Sequence, residues 1–192
     1  MAPESGWLPG EADDTDFQVL FVCTGNICRS PMAEAFATRE LGDHPDAGLG
    51  FASAGSHALE GNPATQPGVV AAADRGGDLA SHRARELSRR RVRDADLILV
   101  MAAEHLPYVL AFDRSAADRA FVLGAFARVL PDLAEAARSP EQLVAIAAKR
   151  VRARPGDDVE DPIGLSAEAY ADCAEQIDEL VTPVVAALAK LT

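Results

Sequence analysis

Cysteine is scarce in this chain, with Cys23, Cys28 and Cys173 the only three among 192 residues. A set so small and odd cannot form a secreted disulfide framework, and a cytosol would keep it reduced. Four residues separate Cys23 from Cys28, yet no second Cys or His pair follows at ligand spacing, so no metal site is expected. Long apolar runs are missing as well: none approaches the roughly 18 residues of a bilayer span, so no membrane span is expected, nor a membrane partner. The start, MAPESG, has no basic segment leading into an apolar one, so no secretory signal is expected and the reading is cytoplasmic. Positive charge is in deficit, with 18 Lys and Arg against 30 Asp and Glu, a formal net charge of −12. Such a surface argues against nucleic acid as a partner, because phosphate backbones are held by basic patches. One stretch runs the other way: SHRARELSRRRVR, residues 81–93, carries six arginines and reads as a solvated helix face plus a loop, or as a device that steers anions.

What remains has the composition of an ordinary globular protein, 48% hydrophobic and 25% charged, and a length suited to one α/β domain. Residues 1–16, rich in Pro, Gly and acid without a period, read as a mobile tail, and the domain is expected over 17–192. Phe17 opens a short β-prone run to Cys23, which suits a central parallel strand buried on both faces. Further strands are expected at 49–56, 95–101 and 120–124. Helical patterns fill the intervals: one from Ser30-Pro31 to Gly42, others over 67–74, 102–112 and the residues after 124, and a last one from Ser166 onward. Pro107 is expected to kink or break its helix, and Pro183 to kink the last one. Ser139-Pro140 opens another helix within the stretch 133–155. The alternation predicts a single three-layer domain, a four-stranded parallel sheet with helices on both faces. In such sheets ligands bind beyond the carboxyl ends of the strands, where the turn after Cys23 lies.

That turn, CTGNICR, carries the chemistry. Gly25 and Asn26 tolerate unusual backbone angles, so the loop can aim the N–H groups of Thr24 to Arg29 into one concavity. A nest of this kind, finished by a helix N-terminus, binds a phosphate dianion. Its positive field stabilises a thiolate and makes Cys23 a nucleophile. Arg29 adds a bidentate fork for two phosphoryl oxygens, and Ser30 a hydrogen bond to the thiolate. An ATP-binding loop is excluded, since no Gly-Lys-Ser/Thr follows.

The stretch VCTGNICRSPMAEA resembles the phosphate-binding loop of the low-molecular-weight protein tyrosine phosphatases. SAGS (53–56), SHRARELS (81–88), DLILVM (96–101) and Asp161-Pro162 extend the resemblance in the same order, with extra length around 130–158. It implies that Cys23 forms a phosphocysteine, that Arg29 clamps the transition state, and that Asp161 is the general acid, which the expulsion of an alkoxide or phenoxide needs. It also implies a substrate cradle of Thr24, Gly25, Asn26, Ile27, Cys28 and Ser30, walled by Leu59 and Ile163. Asn26, Ser30 and His82 would hold the loop in shape, and Cys28 would form a reversible disulfide with Cys23 under oxidation. No cofactor is implied. Partners would be a phosphorylated protein or peptide, with inorganic phosphate or another oxyanion as product or inhibitor.

The chain departs from the family at its slot walls. Ile163-Gly164 follows Asp161-Pro162, and His57 and Leu59 stand where aromatics are common. Ile27 occupies the position that carries Thr in the branch acting on phosphoarginine and favours phosphotyrosine, whereas FVLGAFARVL resembles a segment of the arginine branch. Phosphotyrosine in proteins therefore ranks first and phosphoarginine second. Arsenate reduction ranks lower, because residues 29–172 offer no relay cysteine. A non-catalytic phosphate-binding module ranks lower too, since Cys23, Arg29 and Asp161 are all present.

Overall fold

The computed structural model describes residues 17–192, and the expected tail over residues 1–16 lies outside them. Four strands, β1 (Phe17–Cys23), β2 (Leu49–Gly55), β3 (Leu97–Val100) and β4 (Ala120–Val122), form one sheet in the order β2-β1-β3-β4, parallel throughout. Every residue of β3 and β4 is buried, as is every residue of β1 except Gln18, because helices cover both faces.

Seven helices connect and flank the strands: α1 (Arg29–Leu41), α2 (Gln66–Ala73), α3 (Arg89–Asp94), α4 (Leu106–Phe112), α5 (Leu123–Ala136), α6 (Pro140–Arg150) and α7 (Ala167–Ala189). α1 packs on β1 and β2 and against α7, which also receives α2 and α5, while α3 and α4 lean on each other and on β1 and β4. The core is built from Phe17, Phe21, Phe36, Phe126 and Met32, all essentially without exposure. Truncating one of these phenylalanines to alanine costs about 3–5 kcal/mol, because the cavity left behind cannot close.

Three expectations are refined. The helix expected over 102–112 is a 3-10 turn at Ala103–His105 followed by α4, so Pro107 lies in a first turn whose N–H needs no partner. Pro183 does not end α7, since Val184, Val185 and Leu188 beyond it are buried and hold the helix to the core. The third strand is limited to Leu97–Val100, and the fourth ends at Val122 because Leu123 and Gly124 open α5 instead. The arginine run divides between a loop and the short helix α3, whose N-cap Ser88 accepts from Arg91 N–H. Strand order places the carboxyl ends of β1 and β3 side by side where the chain changes winding direction, the crevice in which open α/β sheets bind ligands.

Candidate active site

The loop after β1 turns its carbonyls outward, one after another. Cys23 C=O accepts from Ser56 N–H at 2.9 Å, Thr24 C=O from His57 at 2.9 Å, Gly25 C=O from Leu59 at 3.1 Å and Ile27 C=O from Thr65 at 2.8 Å. The Asn26 carbonyl accepts from His82 Nε2 at 2.7 Å. A trans peptide sets each N–H opposite the preceding carbonyl, so the N–H groups of Thr24, Gly25, Asn26, Ile27 and Cys28 face the inside of the turn. None of them reaches an acceptor among the described residues. Cys28 starts α1 without a side-chain cap, which adds the positive end of a 13-residue helix. Asn26 supplies the sharp bend at φ 52°; Gly25, expected to share that role, does not take a positive φ.

Below the loop runs a chain of hydroxyl and amide groups. Cys23 Sγ lies 3.0 Å from Ser30 Oγ. Asn26 Nδ2 donates to Ser30 Oγ at 2.9 Å and to Ser53 Oγ at 2.8 Å, and its Oδ1 accepts from Arg85 N–H at 2.7 Å. Ser53 in turn donates to Glu34 at 2.5 Å, a carboxyl whose pKa burial pushes up. Asn26 fills an acceptor position of Ser30, whose proton faces two acceptors, the Cys23 sulfur at 3.0 Å and the Ala54 carbonyl at 3.4 Å. Asn26 and Ser30 are wholly buried, so their side chains brace the loop from beneath. His82 braces it from the side, and burial holds its ring below the ordinary imidazole pKa.

Arg29 is only 3% exposed. Its Nη1 donates to Val159 C=O at 3.1 Å, its Nη2 pairs with the Asp161 carboxylate and lies 3.4 Å from Thr24 Oγ1, and its Nε has no partner among the described residues. Asp161 comes from the long loop between α6 and α7. That loop is pinned to the end of β3 by Val159 N–H on Met101 C=O at 2.8 Å and by Asp158 accepting from Ala103 N–H at 2.8 Å. Asp157, held well below the carboxylate range by its hydrogen bond from Arg128, ties the same loop to α5.

Cys23, Thr24, Gly25, Ile27, Cys28, Arg29, Leu59, Asp161 and Ile163 line one cavity of about 230 Å³, joined by His57. Every expected cradle and wall residue is thus brought together there except Asn26 and Ser30, which sit beneath it. Leu59 and Ile163 are half exposed at its rim. Tyr108 of α4 is exposed and meets His57 edge-on at 4.8 Å. A larger depression of about 630 Å³, lined by Glu34, Arg39, His82 and Arg85 among others, includes none of Cys23, Arg29 and Asp161. Burial pushes the Cys28 and Cys173 thiols up to about 12, so neither is a thiolate near neutral pH. Sequence reasoning missed Glu34, Val159 and His105. Their signal is weak, since a carbonyl has no sequence signature and a lone Glu or His none either. Among the described residues no cluster of His, Cys, Asp or Glu is arranged to hold a metal, and no helix is long and apolar enough to cross a membrane.

Residues 18–192 match the family model for the low molecular weight phosphotyrosine protein phosphatase. The probable low molecular weight protein-tyrosine-phosphatase EpsP of Ralstonia solanacearum is 42% identical over 106 residues, 55% of this chain and 70% of that protein. Among solved structures, the low molecular weight protein tyrosine phosphatase of T. tengcongensis superimposes with a TM-score of 0.70 at 30% identity, over 88% of this chain and 98% of its own. The YwlE arginine phosphatase of Geobacillus stearothermophilus superimposes with a TM-score of 0.67 at 25% identity, over 88% of this chain and 91% of its own. With a loop of inward N–H groups around a cysteine at the tip of β1, and a family match over nearly the whole chain, this protein belongs to the low molecular weight phosphotyrosine protein phosphatase family.

Proposed function

We propose that the chain is a cytoplasmic protein tyrosine phosphatase that works through a phosphocysteine, with Cys23 as nucleophile, Arg29 as transition-state clamp and Asp161 as general acid. The observation that carries this reading is the set of unpartnered N–H groups from Thr24 to Cys28 around the Cys23 sulfur. Donors left unpaired in a buried turn are costly unless an anion takes them. The unpartnered Nε of Arg29 in the same cavity supports it.

In this mechanism the phosphoryl oxygens take the place of the Asp161 carboxylate on Arg29 Nη2 and engage Nε beside it, a side-on bidentate fork. Asp161 is released toward the leaving group in its protonated form. The Cys23 thiolate attacks phosphorus in line, the ester P–O bond breaks, and the proton of Asp161 passes to the departing oxygen. Water then attacks phosphorus, gives its proton to Asp161, and the P–S bond breaks to return the thiolate. The Ser30 hydroxyl stabilises that sulfur as it leaves.

The slot favours phosphotyrosine through the bulk of Ile27, and Tyr108 against His57 adds an aromatic edge near its mouth. Phosphoarginine is the second reading, supported by the likeness to an arginine phosphatase and by walls of Leu59 and Ile163 rather than aromatics. Phosphate release from matched phosphotyrosine, phosphoserine and phosphoarginine peptides, with Cys23→Ser as control, tests the proposal. Phosphotyrosine is expected to be hydrolysed fastest and the mutant to be inert. Faster release from phosphoarginine would move the chain to the second reading with the same three catalytic groups.

A further inference from the structure

His105 is an ionisable side chain buried against the loop that the phosphoryl-transfer mechanism leaves without a task. It is 1% exposed and ends the 3-10 turn that follows β3. Its Nδ1 accepts from Ala102 N–H at 3.1 Å, so the proton of the neutral ring sits on Nε2. Nε2 lies 3.0 Å from Thr24 Oγ1, and the tautomer makes it the donor. The groups around the ring are Arg29, Asp158 and Glu104, and burial followed by Arg29 keeps the ring neutral. Glu104, at 3.8 Å and largely exposed, is too far to take the Nε2 proton.

Thr24 Oγ1 also receives Arg29 Nη2 at 3.4 Å. A hydroxyl has two acceptor positions and one proton. With both positions facing His105 and Arg29, the proton is left for the remaining direction, and no acceptor for it exists among the described residues. Thr24 lines the cavity that holds Cys23 and Arg29.

We infer that His105 is a positioning residue that turns the Thr24 hydroxyl proton into the loop's concavity, where it donates to an oxygen of the bound phosphoryl group. This role rests on the phosphatase reading for the identity of that group. Thr24 then supplements the backbone donors with a side-chain one, and the imidazole fixes its direction before substrate arrives, so no reorientation is needed during reaction.

The test compares Thr24→Val, His105→Leu, His105→Gln and the double variant Thr24→Val/His105→Leu. Readouts are kcat and KM on an aryl phosphate and the affinities of inorganic phosphate and orthovanadate by calorimetry. Thr24→Val and His105→Leu are each expected to lower kcat about tenfold to a hundredfold, to weaken orthovanadate more than phosphate, and to change KM little. The double variant is expected to be no slower than Thr24→Val alone. His105→Gln, whose amide can donate from near the Nε2 position, is expected to restore most of the rate. Turnover by Thr24→Val at the wild-type rate, or His105→Gln as slow as His105→Leu, would overturn the inference. If His105→Leu fails to fold, Thr24→Val and His105→Gln alone decide between these results. A wild-type protein that binds orthovanadate without turnover, and binds it more weakly after Thr24→Val, would end the phosphatase reading and keep this one.

Discussion

His82 and His105 reach the same loop from different sides, one holding the Asn26 carbonyl at 2.7 Å and the other the Thr24 hydroxyl at 3.0 Å. Each works as a neutral ring donating from Nε2 or placed to do so, and burial lowers the pKa of both. A histidine whose folded pKa is depressed binds fewer protons folded than unfolded. Its contribution to stability is therefore complete above the unfolded value and is lost as pH falls through the lowered folded one. The unfolding free energy from urea titration is expected to be flat above about pH 6.5 and to decline below it, by up to about 1.4 kcal/mol per pH unit for each histidine. His82→Gln, which keeps a donor without a titrating ring, is expected to make that decline shallower. Parallel profiles for wild type and His82→Gln, measured between pH 7.5 and 5, would remove His82 from the account.

Among the elements, α5 has a task beyond filling the core. Its second residue, Gly124, lies under the loop that carries Asp161: a Cβ there would stand 2.3 Å from the Asp157 carbonyl oxygen, a backbone atom that cannot step aside. One turn further on, Arg128 holds the Asp157 carboxylate at 2.9 Å and Arg152 C=O at 3.0 Å. α5 and the residues after α6 thus anchor the loop that carries Asp161. Gly124→Ala is expected to push that loop off its seat and lower kcat about tenfold to a hundredfold, the scale of a misplacement near 1 Å. Orthovanadate affinity, set by the loop after β1, should change far less. Pre-steady-state and steady-state rates on an aryl phosphate, with calorimetry, separate the two effects, and an unchanged kcat would sink the idea.

At the scale of the whole molecule, charge governs approach. A net −12 repels phosphorylated peptides that carry further acids, while the arginines of 81–93 offer only a local exception. Values of kcat/KM for an acidic phosphopeptide are expected to rise severalfold as salt is raised from about 0.01 M to 0.15 M, as the Debye length shrinks from about 30 Å to 8 Å. A peptide with basic flanks should show the opposite slope. A fall in kcat/KM with salt for both peptides would mean that the arginine cluster, not the net charge, steers the substrate.

The strand–turn–helix around Cys23 is legible in the residues alone. Everything local to it is contiguous: an apolar run for the buried strand, Asn26 for the bend, Cys28 to Arg29 for the helix start, and a step of six positions from Cys23 to Arg29. Local rules of backbone angle and helix initiation suffice for such a segment. Which distant groups complete it is settled only by the folded chain. Val159, Asp161 and His105 reach the loop because the order β2-β1-β3-β4 sets the end of β3 beside the end of β1, and because the segment carrying Asp161 is tied to Met101 and Ala103 there. No local pattern records that adjacency. It follows from how the strands pair, from the close approach that Gly124 permits, and from carbonyls whose direction exists only once the chain has folded.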